Sequence, residues 1–139
     1  MKLETYQAET AAHAARQGLI LLEAKAKLKE RGELSPLEFS GTAHALQVLT
    51  ENAIGKAKHW LKACNMAVPV SAYDAFAMLC QLEQVTSSEL QAWQRAIGLR
   101  NRIVHDYLNL DARVIYRLID SSAYQFMLDF LNAPFKNKP

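Results

Sequence analysis

Apolar residues recur every three or four positions along most of this chain, which is the spacing of an amphipathic α-helix. The longest such series has apolar residues at Phe39, Ala43, Leu46, Ala53, Ile54, Ala57, Trp60 and Leu61. No segment of the sequence alternates apolar and polar residues convincingly over the length of a strand. The pattern therefore predicts an all-α fold, with Trp60 and Trp93 in its core.

Capping residues divide this pattern into predicted helices. Ser35, Ser71, Thr86 and Asp111 each precede a helical pattern and offer a side-chain oxygen to the first unpaired N–H groups of a helix. Gly32 suits the end of the helix before Ser35. The predicted helices cover residues 4–31, 36 to about 65, a shorter stretch after 71, a stretch from 86 into the segment 100–107, and 111–131. Short connections favour an up-down antiparallel bundle of four main helices plus a shorter one.

Composition sets the class of the protein. The chain has 139 residues and half of them are hydrophobic, so residues 1–139 are expected to form a single domain. Its two cysteines, Cys64 and Cys80, lie in apolar helical surroundings and are expected to be reduced core thiols. No stretch is apolar over the length of a bilayer, so a cytoplasmic protein with no membrane partner is expected. The last residues, 136–139, are expected to be frayed.

In one part of the chain all the basic residues are arginine rather than lysine. Between residues 91 and 117 the basic residues are Arg95, Arg100, Arg102, Arg113 and Arg117, against Asp106 and Asp111. The planar fork of arginine grips phosphate through two hydrogen bonds, so this patch favours phosphate recognition. A net charge of +2 is too small for the whole surface to bind nucleic acid, so an anionic partner would be held locally. A solvated charged face is the other interpretation of the patch.

Residues 100–107 combine an arginine, a histidine and a tyrosine. Steps of four, three and four along the predicted helix place Arg100 on the apolar stripe of Trp93, Ile97 and Val104. An unpaired, desolvated guanidinium there would cost several kcal/mol. Arg100 is therefore expected either to meet a carboxylate or to line a cleft that receives an anion, and the sequence does not decide between them.

His105 lies five residues after Arg100, which is roughly 140° around a helix at about 100° per residue. The two side chains can act on one phosphate if the helix unwinds near His105, or if a second copy of the segment approaches. A two-fold dimer is the simpler solution.

Such a cleft suits RNA cleavage without a metal ion, in which His105 moves the proton of a ribose 2′-hydroxyl and Arg100 stabilises the phosphorane-like charge. Asn101 could orient the phosphate or His105. Arg102 could hold the flanking backbone, although an exposed helix charge is the better explanation of this residue. The other histidines are His13, His44 and His59, which are spread over the predicted helices without ligand spacing, so no metal site is expected.

This segment resembles a known family. Arg100, His105 and Tyr107 match the pattern Arg, any four residues, His, any one residue, Tyr of the HEPN superfamily, and residues 98–107 closely resemble HepT-type toxins. Residues 44–53 are similar to the second helix of that family, and the resemblance covers nearly the whole chain.

The resemblance implies a type VII toxin: a dimeric α-helical endoribonuclease of the HEPN fold that uses no cofactor and cleaves tRNA or mRNA. Arg100 and His105 would be catalytic, Asn101 would support them, and Tyr107 would be the motif tyrosine. An MntA-type nucleotidyltransferase antitoxin would neutralise the toxin by transferring AMP to Tyr107, in a complex that can contain a higher oligomer of the toxin. A non-enzymatic nucleotide- or RNA-binding partner subunit of a nucleotidyltransferase remains the alternative, as does a structural bundle in which Arg100 is paired internally.

Overall fold

The computed structural model describes residues 3–135 and contains six α-helices and no strand within that range. They are α1 (Leu3–Arg31), α2 (Pro36–Ala63), α3 (Ala72–Gln81), α4 (Ser87–His105), α5 (Ala112–Asp120) and α6 (Gln125–Asn132). A 3-10 turn at Tyr107–Asn109 connects α4 to α5. The predicted all-α class is confirmed, while the expected fraying of residues 136–139 lies outside the described residues. None of the helices within 3–135 is both long enough and apolar enough to cross a lipid bilayer.

The predicted helix starts are confirmed by their caps. Ser35 Oγ accepts a hydrogen bond from the Glu38 N–H at 3.1 Å, and the Glu38 carboxylate accepts one from the Ser35 N–H at 2.8 Å. That bond from the Ser35 backbone holds the pKa of Glu38 below its ordinary value. Thr86 and Glu89 form the same capping box before α4. Both helices therefore begin where local residues satisfy their N–H groups.

The helix α2 lies at the centre of the bundle and packs against α1, α3, α4 and α6. The other long helix, α1, packs along α2 and also contacts α5 and α6. Phe76 on α3 and Trp93 on α4 are buried and stacked, with ring centroids 4.4 Å apart. Trp60 is also buried, so both tryptophans belong to the core as predicted.

The prediction of one continuous helix over residues 111–131 is wrong. The chain turns at residues 121–124, where Ser122 has a positive φ of 56° and Ser121 Oγ donates to the Arg117 carbonyl at 2.7 Å. A serine hydroxyl that binds a backbone carbonyl competes with the helical hydrogen bonds. Lys25 Nζ on α1 also donates to Ser122 Oγ at 2.7 Å. The turn carries Tyr124, which is 2% exposed, into the core and separates α5 from α6.

A buried lysine links α2 to the end of α6. Lys56 is 1% exposed, and its Nζ donates to the carbonyls of Phe130 and Ala133 at 2.6 Å and 2.5 Å. The ammonium also lies 5.1 Å and 5.2 Å from the ring centroids of Phe130 and Phe135. Burial lowers the pKa of Lys56 to about 8. The positive end of this side chain thus satisfies carbonyls at a helix C-terminus.

Candidate active site

The last two turns of α4 carry the segment that the sequence singled out. The buried face of this helix is formed by Trp93, Ala96, Leu99 and Ile103. Val104, which was predicted on the apolar stripe, is 43% exposed. The buried stripe is therefore displaced from the predicted one by about one residue, and Arg100 lies at its edge rather than on it.

Arg100 meets a carboxylate on α2. Its Nε donates to Glu51 Oε2 at 3.2 Å, and its Nη2 lies 3.2 Å from the same oxygen. Nη1 donates to Asn101 Oδ1 at 2.9 Å, so the predicted supporting residue contacts the predicted catalytic one. Of the five N–H donors of a guanidinium, these contacts engage three and leave one on each terminal nitrogen. Arg100 is thus oriented and can still offer a two-pronged donor to a phosphate.

His105 is the last residue of α4 and its side chain is exposed. Asp106 ends the helix with φ −146° and ψ 40°, while its N–H still donates to the Arg102 carbonyl at 2.8 Å. The helix stays regular up to His105, so unwinding does not bring this imidazole round to Arg100. Five residues of regular helix separate their positions by roughly 140° about the helix axis within one chain.

Tyr107 lies in the 3-10 turn that follows. Its hydroxyl is 2.9 Å from Ser40 Oγ on α2, and its ring centroid is 6.1 Å from that of Phe39. The residue is 37% exposed, so this motif tyrosine lies at the surface. The helix does not continue to Tyr107, and this tyrosine is positioned by α2 rather than by α4.

Four of the five arginines of the patch line one groove. It has a volume of about 540 Å³, with Arg95, Arg100 and Arg102 on the α4 side and Arg117 on α5. Arg113 is not among the lining residues and instead donates from Nη2 to Asp111 Oδ2 at 3.2 Å. Hydrogen bonding from Arg113 lowers the pKa of Asp111. Four arginines of the patch therefore line the groove, and the fifth, Arg113, pairs with the residue that caps α5.

Two residues near the motif were missed by the sequence analysis. Glu51 and Ser40 lie 49 and 67 positions before their partners Arg100 and Tyr107, so no local spacing relates them. The requirement that a partly buried arginine meet a carboxylate pointed to a partner such as Glu51 without identifying it. Nothing in the sequence pointed to Ser40.

No three His, Cys, Asp or Glu side chains within residues 3–135 are grouped so that they could hold a metal ion. His59 instead stacks on Tyr6, with ring centroids 4.0 Å apart, and burial lowers the pKa of its imidazole. Cys64 and Cys80 are both free and partly buried.

The fold and the motif together define a HEPN-type helical bundle. A family model described as "Ribonuclease HepT-like" matches residues 14–133. The chain belongs to this HepT-like family. The resemblance stated from residues 44–53 and 98–107 is thereby confirmed.

Two relatives carry nuclease names. One is the mRNA nuclease HepT of Shewanella oneidensis, which is 28% identical over 81 residues, or 58% of this chain and 61% of that protein. The other is the tRNA nuclease HepT of Aphanizomenon flos-aquae, which is 28% identical over 87 residues, or 63% of this chain and 59% of that protein. The chain thus spans about three fifths of the length of these relatives.

Solved structures share the whole fold. A tri-AMPylated HEPN toxin of Shewanella oneidensis, in complex with an MNT antitoxin, superposes with a TM-score of 0.81 over 96% of this chain and 100% of the other, at 20% identity. A toxin–antitoxin structure with AMP-PNP superposes with a TM-score of 0.77 over 94% and 99% of the two chains, at 19% identity. At these identities the likeness concerns the fold.

Proposed function

We propose that this chain is the toxin of a type VII toxin–antitoxin pair and acts as an endoribonuclease on tRNA or mRNA in the cytoplasm, with residues 1–139 as one domain. The observation that carries the proposal is the arrangement at the end of α4. There Arg100 is oriented by Glu51 and Asn101 while His105 remains exposed. Membership of the HepT-like family supports the same activity.

The proposed reaction uses a transferable proton and a fixed positive charge. His105 takes the proton of a ribose 2′-hydroxyl, and the resulting oxygen attacks the adjacent phosphorus. Arg100 stabilises the added negative charge on the phosphorane through its two remaining donors. The bond from phosphorus to the 5′-oxygen breaks, and a histidine returns a proton to that oxygen. The products are a 2′,3′-cyclic phosphate and a 5′-hydroxyl, and no metal ion takes part.

Two copies of the chain are proposed to form each site, because Arg100 and His105 diverge within one copy. Apolar side chains next to the motif support a contact between copies. Leu108 in the 3-10 turn is 97% exposed and Val104 on α4 is 43% exposed. Burying them against a second copy would remove apolar surface from water and bring a second motif alongside the first.

Tyr107 is proposed as the site of neutralisation by a partner nucleotidyltransferase of the MntA type, in a complex that can contain more than two toxin chains. This tyrosine is partly exposed two residues after His105 in the chain, and the superposable Shewanella toxin is AMPylated and bound to an MNT antitoxin. An AMP group adds bulk and negative charge beside the RNA cleft. Both effects would exclude a phosphate backbone.

Replacing His105 tests the reaction. We expect wild-type protein in the presence of a chelator to convert RNA to fragments ending in 2′,3′-cyclic phosphate, and His105→Ala to lower the rate by on the order of 10² to 10⁴. The measurement is gel analysis of end-labelled RNA with and without phosphatase treatment of the ends. His13→Ala, at another exposed histidine on α1, is the matched control. Equal rates for the two variants would contradict the mechanism, and RNA binding without any cleavage would favour the non-enzymatic partner subunit.

Replacing Tyr107 tests the modification. After coexpression with an MntA-type nucleotidyltransferase, we expect the intact mass of the wild-type chain to rise by one or more AMP groups. Tyr107→Phe removes the acceptor oxygen and should abolish this increase. Tyr73→Phe serves as the control, since Tyr73 is 39% exposed and lies on α3. An AMP group retained by Tyr107→Phe would place the acceptor elsewhere.

A further inference from the structure

The arginine-lined groove extends beyond the residues that the proposed reaction uses. α4 forms one wall, α5 and α6 form the other, and Leu46 and Thr50 of α2 lie between them. The volume of about 540 Å³ is in the range of pockets that hold a single small ligand, which is roughly 300 to 1,000 Å³. The groove is therefore large enough for part of a substrate.

The interior of the groove is apolar. Its lining includes Leu99 and Ile103 from α4 together with Leu118, Phe126 and Met127 from α5 and α6. Thr50 Oγ1 is already engaged by the Leu46 carbonyl at 2.9 Å. A flat or apolar group would be desolvated there at little cost.

The charges of the groove have one sign. Arg95, Arg102 and Arg117 line it together with Arg100, and none of the described lining residues is acidic. Arg95, Arg102 and Arg117 are exposed, and none of them forms a salt bridge within residues 3–135. The complementary occupant is thus a molecule that combines an apolar part with several negative charges.

An unpaired nucleotide of RNA has this combination. Its base is flat and can be buried, while its phosphates meet guanidinium groups. Arg100 connects the groove to the reaction centre, since it lines the groove and is also proposed to stabilise the phosphorane. An acidic protein segment would match the charges but has no reason to reach the catalytic arginine.

We propose that the groove between α4 and α5 is a base-binding subsite, which holds the unpaired base of a nucleotide next to the cleaved phosphodiester. Arg95, Arg102 and Arg117 bind the phosphates that flank this nucleotide. This assignment rests on the proposed ribonuclease function and extends it, because the subsite would decide which RNA sequences are cut.

The test measures binding rather than cleavage, so that it can fail separately from the proposed reaction. The protein carries His105→Ala, and the probes are a fluorescent pentanucleotide RNA of mixed sequence and the same ribose-phosphate chain without its bases. Fluorescence anisotropy gives both dissociation constants over a range of salt concentrations. We expect the unmodified RNA to bind on the order of 10-fold more tightly than the abasic chain.

Two variants alter the groove in different ways. Gly98→Phe fills it, since a Cβ at Gly98 meets nothing within 4 Å and that position lines the groove. It should abolish the preference for the RNA with bases and leave abasic binding unchanged. Arg117→Gln should weaken the binding of both probes. It should also reduce the magnitude of the slope of log affinity against log salt concentration by about 0.7.

Each variant has a matched control outside the groove. Gly41→Phe adds the same ring at an exposed helical glycine whose Cβ also meets nothing within 4 Å, and Arg113→Gln removes the same charge from α5. Both controls should retain the base preference and the affinities of the parent protein.

Three results would overturn the subsite. One is equal affinity of the parent protein for the two probes. Another is a loss of base preference in a control as large as in its groove variant. The third is a change in association state with Gly98→Phe, measured by sedimentation, without loss of base preference, since a second copy would then cover the groove. Absence of RNA cleavage by wild-type protein alongside base-dependent binding would instead contradict the proposed reaction.

Discussion

Arg100 is held in place before any substrate binds. Glu51 and Asn101 accept hydrogen bonds from its Nε and Nη1, and Nη2 lies 3.2 Å from the Glu51 carboxylate, so the guanidinium has little rotational freedom left to lose when a phosphate arrives. The same carboxylate offsets part of the positive charge, which makes a half-buried arginine tolerable in the free protein. One residue on α2 thus serves both the stability of the bundle and the orientation of the proposed catalytic donor.

Burial of Lys56 makes the free energy of unfolding vary with pH in the alkaline range. Its pKa in the folded protein is about 8 against an ordinary value of 10.5, so between these values the unfolded chain holds more protons than the folded one. Stability should therefore rise with pH across that window. We expect the free energy of unfolding of wild type, relative to Lys56→Met, to increase by about 1 to 3 kcal/mol from pH 7 to pH 10.

Urea denaturation of both proteins at several pH values measures this difference. Lys29→Met, at an exposed lysine near the end of α1, controls for the loss of one positive charge. Parallel pH profiles for wild type and Lys56→Met would show that the burial of Lys56 does not perturb its titration.

Among the elements, α4 carries most of the proposed site and also contains a weak position. Gly98 is exposed in the middle of this helix, where glycine costs conformational entropy without a steric reason for its presence. Gly98→Ala should raise the free energy of unfolding by about 0.5 to 1 kcal/mol.

Thermal or urea unfolding compares this variant with Gly55→Ala on α2. A Cβ at Gly55 would lie 2.9 Å from Tyr6 Oη, so Gly55→Ala should raise the free energy of unfolding less than Gly98→Ala does, or lower it. A loss of stability with Gly98→Ala would mean that α4 packs against something at this position.

The helices differ in how far the sequence determined them. The starts of α2 and α4 follow from neighbours such as Ser35 with Glu38 and Thr86 with Glu89, because a cap is satisfied within one helical turn. The break between α5 and α6 combines a local contact, from Ser121 Oγ to the Arg117 carbonyl, with a distant one. The contact of Ser122 with Lys25, 97 residues away, belongs to the tertiary structure.

The distinction between local and distant contacts also applies to the residues of the candidate site. Arg100, Asn101, His105 and Tyr107 were identifiable because they lie within one short segment. Glu51 was not identifiable, since it reaches Arg100 from another helix. The side of α4 that is buried, and hence the position of Arg100 at its edge, depended on how this helix packs against the rest of the bundle. Local chemistry was therefore predictable, and the partners that orient it were not.

At the scale of the whole molecule, the divergence of Arg100 and His105 predicts that two inactive proteins can restore one active site. Arg100→Ala and His105→Ala homodimers should each be inactive. In a mixed dimer one site loses both residues and the other keeps both, so random exchange should recover about one quarter of wild-type cleavage.

The measurement is RNA cleavage after the two variants are mixed and allowed to exchange subunits, with each variant alone and an Arg113→Gln mixture as controls. If exchange is verified by mass spectrometry and no activity returns, Arg100 and His105 do not combine across copies as proposed.

The hydrogen bond between Tyr107 and Ser40 bears on the proposed modification of the whole chain. The tyrosine hydroxyl is already occupied in the resting chain, at 2.9 Å from Ser40 Oγ. Any enzyme that uses this oxygen as an acceptor must first compete with an internal partner. Under the proposed modification, an exposed serine on α2, 67 residues away in sequence, would thus set part of the rate at which Tyr107 is AMPylated, and a weaker bond there would make that modification faster.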